Sequence, residues 1–106
     1  MGRLDAILAY SRSIASMPRM GFVYAICDVD GVPVYVGCST QPKLRYLQHK
    51  RAGKHRELWL WLARNWRWHT FEILDQYSGI RAMHDAEHEY IRYLMPRFNR
   101  AGLPRA

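Results

Sequence analysis

Tyr24 and Tyr35 sit in the segment VYAICDVDGVPVYVGCST, residues 23–40, with Gly37 two positions beyond the second tyrosine. Arg45 and His49 follow, four residues apart. Much later, Glu87 interrupts an otherwise apolar helical series of Ile80, Met83, Tyr90, Ile91 and Leu94. An ionised carboxylate on a core-facing line is costly unless it is paired or holds a cation. Two readings are open for it: a buried pair with Arg45, or a metal ligand. A carboxylate, a guanidinium, an imidazole and two phenols are the parts that metal-assisted hydrolysis of a phosphodiester requires.

These residues are far apart in the chain and need a scaffold to meet. Two apolar runs, 22–28 and 33–37, flank Asp30-Gly31 and predict a β-hairpin with a two-residue turn. In that register Tyr35 faces Ile26 and Gly37 faces Tyr24. Both tyrosines then share one face, about 7–8 Å apart at the backbone, and Gly37 leaves open space beside Tyr24. Residues 41–52 predict a helix with Pro42 in its first turn. On it Gln41, Arg45 and His49 form a polar stripe, Leu44 and Leu47 mark a core-facing side, and Lys43, Tyr46 and Lys50 an exposed line. The Leu/Trp alternation in RELWLWLARN, residues 56–65, fits a strand, but its length favours a helix. Residues 68–75 predict a third strand and 79–95 a long helix stopped by Pro96. Residues 3–16 predict a first helix, ended by Pro18 and Gly21. The expectation is a mixed α/β domain: a central three-stranded antiparallel sheet flanked by helices. It divides into an N-terminal helical extension over 1–20, the domain over 21–99 and a short tail over 100–106.

The chain has 106 residues, enough for one small domain, and 49% of them are hydrophobic. Two cysteines, Cys27 and Cys38, without C-x-x-C spacing, argue against a disulfide framework or a structural zinc site and suit the reducing cytoplasm. No apolar run approaches a membrane span, and the N-terminus lacks the apolar stretch of a secretory signal. Sixteen Lys and Arg against nine Asp and Glu give a net charge of +7, which favours a polyanionic partner. Lys43, Arg45, Lys50, Arg51, Lys54, His55 and Arg56 fall in one 14-residue stretch. Such a cluster can contact phosphates and reads no bases by itself. Trp59, Trp61, Trp66 and Trp68 could stack on unpaired bases; a place in the core or at an oligomer interface is the more usual role for such residues.

In order and spacing, the chain resembles the GIY-YIG nuclease family over residues 21–99. FVY, residues 22–24, stands for the first motif, with Phe22 where the family usually has Gly, and YVG, residues 35–37, for the second. Arg45 lies eight residues after Gly37, His49 four further on, and EHEYIRYLMPRFN, residues 87–99, has the spacing of the final motif. The resemblance implies a metal-dependent endonuclease, with DNA favoured over RNA as substrate. Glu87 would hold a single divalent cation, Mg2+ or Mn2+, which one carboxylate and retained waters suit. Arg45 would neutralise charge developing on the phosphate. Tyr24, assisted by His49, or else Tyr35, would orient and deprotonate the attacking water, and Asn99 would brace the site by hydrogen bonds. Cys38 follows Gly37 where some members carry Lys, so a lysine base at that position is not available. Lys43, Lys50, Arg51, Lys54 and Arg56 would contact the nucleic-acid backbone. With little chain outside the domain, target choice falls to the domain itself, to a homodimer or to a targeting partner protein.

Two rival readings stand beside this one. HDAEH, residues 84–88, fits a short H-x-x-E-H zinc-hydrolase pattern, with His84 and His88 on one helix face. A module that keeps the fold and binds nucleic acid without cleaving it is the other.

Overall fold

A computed structural model describes residues 19–51 and 55–102, with the side chains of 100–102 excepted. The helix expected over 3–16, Lys54 and the end of the C-terminal tail lie outside the described residues. Three strands, β1 (Met20–Cys27), β2 (Pro33–Ser39) and β3 (Thr70–Ser78), form one antiparallel sheet in the order β2-β1-β3. Helices α1 (Pro42–Lys50) and α2 (Arg56–Arg64) lie between β2 and β3 in the chain. Helix α3 (Ile80–Leu94) and a 3-10 segment, Arg97–Gly102, follow β3. The fold is the small α/β domain that the alternation of elements predicts.

The central strand explains the core. β1 is covered on both faces, so Val23 to Cys27 are all buried and read as a continuous apolar run rather than an alternation. Val23, Ala25 and Cys27, with Val36, face α3, where Tyr90, Ile91 and Leu94 pack on them. Ile26 and Val34 face the other way onto Leu58 and Leu62 of α2. α3 ends where Met95 turns to a left-handed φ of 47° ahead of buried Pro96.

The hairpin register places Tyr24 opposite Gly37 and Ile26 opposite Tyr35. The turn is not the expected two-residue one. Asp28 N–H donates to the Val32 carbonyl (2.9 Å), and Gly31 N–H donates to the Asp28 carbonyl (3.0 Å). Asp28 Oδ1 accepts from the backbone N–H of Asp30 and Val32, each at 2.9 Å. Val29-Asp30 are thus the turn centre, and Gly31 takes the left-handed position at φ 80°, where a side chain would be strained. A bulge between Ile26 and Cys27, which leaves Val34 without a partner, then restores the register.

α1 also packs differently from the expectation. Leu44 and Leu47 are exposed, and the helix buries no residue fully. Tyr46 instead stacks on Phe71 at 4.6 Å between ring centres, and Lys50 lies over the rings of Tyr46 (4.5 Å) and Trp66 (3.8 Å). Aromatic and cation–π contacts seat this helix where aliphatic burial was expected.

Candidate active site

The site forms at the free edge of the sheet, where β2 is the outer strand. Tyr24 and Tyr35 project from the same face, their rings 6.3 Å apart. Gly37 is needed there for a different reason from the one expected. A Cβ at Gly37 would stand 2.5 Å from the Tyr24 hydroxyl and 2.6 Å from its ring carbon Cζ. The space is not open: Tyr24 itself fills it, with its hydroxyl lying across the edge strand.

α1 places His49 above the two phenols. Its Nε2 is 2.8 Å from the Tyr24 hydroxyl, and its ring meets Tyr35 edge-on at 5.0 Å. Burial, then the charges of Arg45 and His55, lower the His49 pKa to about 4. The imidazole is therefore neutral at pH 7, and in its Nδ1-protonated tautomer the Tyr24 hydroxyl donates to Nε2. Tyr24 is buried, and burial first, with the Tyr35 hydroxyl second, raises its pKa far above the ordinary phenol value, while Arg45 opposes the shift. Tyr35 is half-buried; burial and then Glu87 raise it, and Arg45 lowers it. Arg45 itself is exposed.

Asn99 completes the edge. Its Oδ1 accepts from Val36 N–H (2.8 Å) and its Nδ2 donates to the Val36 carbonyl (2.9 Å). The side chain pairs with the strand as another strand would, next to Gly37, and so satisfies backbone groups that the sheet leaves open.

Glu87 reaches the same edge from the opposite face. It is half-buried, and no charged side chain is buried among the described residues. The reading of Glu87 as half of a buried pair with Arg45 is therefore corrected. Its neighbours are Cys38 and His84, and the ligand atoms of all three lie within 4.8 Å of one another. His84 Nδ1 is 3.5 Å from Cys38 Sγ. Burial, then a hydrogen bond and the charge of Glu87, push the Cys38 thiol up to about 12. His88, the expected partner of His84 in the zinc-hydrolase pattern, is exposed and stands outside this group.

Of the expected phosphate contacts, Lys43, Arg51 and Arg56 are exposed, Lys50 is held on aromatic rings, and Lys54 lies outside the described residues. Trp66 and Trp68 are exposed rather than core, while Trp59 and Trp61 are half-buried. Two histidines gain roles that the sequence reading did not assign. His55 Nδ1 caps α2 by accepting from Leu58 N–H (3.3 Å), and its Nε2 donates to the Phe98 carbonyl (2.7 Å). His55 thereby ties the segment carrying Asn99 to the wall beside Tyr35, whose ring it meets at 5.8 Å. His69 Nε2 is bonded to the Tyr46 hydroxyl under α1. His55 stands ahead of an amphipathic run, a position from which capping could have been read.

No helix among the described residues is long and apolar enough to cross a membrane. Compared with models of known protein families and with curated proteins, the chain matches none.

Proposed function

We propose that the domain hydrolyses phosphodiester bonds in nucleic acid, DNA in preference to RNA, in the manner of the GIY-YIG nucleases it resembles. The observation that supports this is the Tyr24–His49 hydrogen bond beside Tyr35, with Arg45 and Glu87 acting through charge on both phenols. A divalent cation, Mg2+ or Mn2+, would when bound supply positive charge to the phosphate oxygens and the leaving oxygen. The Glu87 carboxylate fits such an ion: it is half-exposed, so waters and phosphate oxygens can complete an all-oxygen shell around it.

The chain's own residues divide the remaining work. Burial makes a free phenolate at Tyr24 too costly to persist. A relay avoids it, with Tyr24 taking a proton from the attacking water as its own passes to neutral His49. Gly37 places no side chain between that hydroxyl and the strand edge. Tyr35, half-exposed, orients the water or a phosphate oxygen. Arg45, exposed beside them, neutralises charge on the phosphate with its planar fork. Asn99 fixes β2 so that the phenols keep their place. Lys43, Arg51 and Arg56 supply sequence-independent backbone contacts.

The test is cleavage of labelled double-stranded, single-stranded and branched DNA, and of RNA, with Mg2+ or Mn2+ and with EDTA. Cation-dependent cleavage of at least one DNA form is expected. Binding without cleavage of any substrate would replace this reading with that of a binding module.

A further inference from the structure

We infer that Cys38, His84 and Glu87 form a binding site for a borderline-soft transition-metal ion, with Zn2+ as the ion it suits best. Two elements build it. Cys38 comes from β2, and His84 and Glu87 lie three apart on α3, which puts them on one helix face. Their ligand atoms lie within 4.8 Å of one another.

The distances fit the ion. Zn–S bonds of about 2.3 Å and Zn–N bonds of about 2.0–2.1 Å, at a tetrahedral angle, set sulfur and nitrogen about 3.6 Å apart. Cys38 Sγ and His84 Nδ1 are 3.5 Å apart. One tetrahedral edge is thus already in place, and the carboxylate closes on it by side-chain rotation. A thiolate and an imidazole select against Mg2+ and Ca2+, which take oxygen ligands, and for Zn2+ and its neighbours. Cys38 gives up its thiol proton to solvent on binding. Three protein ligands leave a fourth position open. His84 is exposed, so the ion has a direct path in.

The site differs from the HDAEH reading in its ligands: His88 is not among them, and a strand cysteine is. It also shares one group with the site proposed above. If Glu87 holds the hard cation during cleavage, a zinc ion on Cys38, His84 and Glu87 occupies the same carboxylate. Zinc would then switch cleavage off, a consequence that rests on the nuclease reading, whereas the metal site does not.

Zinc binding to the untagged full chain, followed by calorimetry and elemental analysis, tests the site directly. One zinc per chain is expected. Cobalt substitution should give a thiolate-to-metal charge-transfer band. Cys38→Ser should abolish the band, and Cys38→Ser and His84→Ala should each weaken zinc binding roughly tenfold or more. His88→Ala should leave both readouts unchanged. Absence of the cobalt band in the wild-type chain, or zinc affinity unaltered by Cys38→Ser, would overturn the site. A second arm adds zinc to a Mg2+-supported cleavage reaction. Inhibition in wild type that is relieved in Cys38→Ser supports the shared carboxylate, and equal inhibition of both refutes it. If no cleavage is found with any cation, the nuclease reading fails while the binding and cobalt arms still decide the metal site.

Discussion

On the α1 side of the sheet the ionisable groups are packed against rings; on the α3 side the Cys38 thiol packs on the aliphatic core, while Glu87 is half-buried and His84 exposed. Tyr24, Tyr35 and His49 meet one another ring to ring, Tyr24 also meets Phe71, and burial drives each of the three toward its neutral form. Cys38, His84 and Glu87 lie across the same edge strand, half-buried or exposed. The difference assigns work. A hydrogen-bonded neutral pair can shuttle a proton without solvating an ion. A half-exposed carboxylate can exchange water for a cation. A phosphodiester lying along the β2 edge would meet both kinds of group.

The most damaging change to this division should be Glu87→Ala. It removes the carboxylate and its charge on the two phenols while leaving every side chain of the packed side in place. Cleavage is expected to fall on the order of a hundredfold to a thousandfold, as when a main electrostatic contributor is lost. Far-ultraviolet circular dichroism and nucleic-acid affinity should stay near wild type, because the carboxylate is only half-buried. Full cleavage by this variant would remove Glu87 from the mechanism.

A comparable but separable loss is expected on the packed side. Tyr24→Phe keeps the ring and deletes the proton donor to His49, so cleavage should drop by roughly a hundredfold or more. Tyr35→Phe should cost less, since Tyr35 only orients. Gly37→Ala should imitate Tyr24→Phe without touching a titratable group, because its Cβ would displace the Tyr24 phenol. Single-turnover rates on the three variants check the order. A larger loss in Tyr35→Phe than in Tyr24→Phe would exchange the two roles.

His49 ties the packed side to pH. Its pKa is about 4 in the folded chain against the ordinary 6.5, so between these values the unfolded chain binds the proton more tightly. His49 therefore contributes full stability above pH 6.5, and that contribution falls as pH drops toward 4. The thermal midpoint of wild type should decline across this window, and His49→Phe should flatten that part of the decline. The His49 ring signal in NMR should titrate near 4. A titration near 6.5 would mean that the imidazole is not buried against Tyr24 as described.

Much of this organisation is legible in the sequence, though sometimes for the wrong reason. The pairing of Tyr24 with Gly37 follows from Asp30-Gly31 only because two irregularities cancel: a longer turn shifts the register and a bulge at Val34 shifts it back. Period-two alternation cannot reveal such a compensation. Glu87 stands out because a carboxylate in an apolar helical series is anomalous. Its neighbours do not, because Cys38 is 49 positions away in the chain and only the fold brings it to the same helix face. Leu44 and Leu47 mislead because α1 is seated by Tyr46 and Lys50 on aromatic rings, which helical hydrophobicity patterns do not weigh.

That seating separates two lysines that the sequence treats alike, and it gives the smallest expected effect. Lys43 is exposed, whereas Lys50 lies 3.8 Å from the centre of the Trp66 ring. If Lys43 only contacts phosphate, Lys43→Ala should weaken nucleic-acid binding a few-fold and lower the slope of log affinity against log salt by about 1. Its thermal midpoint should not move, because an exposed lysine has no packing to lose. Lys50→Ala should instead lower stability by about 0.5–1 kcal/mol, the range for cation–π contacts at exposed sites. Its salt slope should change less than that of Lys43→Ala, since an ammonium held on rings is less free to meet a phosphate. Filter-binding titrations across salt concentration, with thermal melts of both variants, read the two effects independently. Equal slopes with unchanged melts would show that α1 presents both lysines to the nucleic acid and that the aromatic seat contributes nothing to holding the helix.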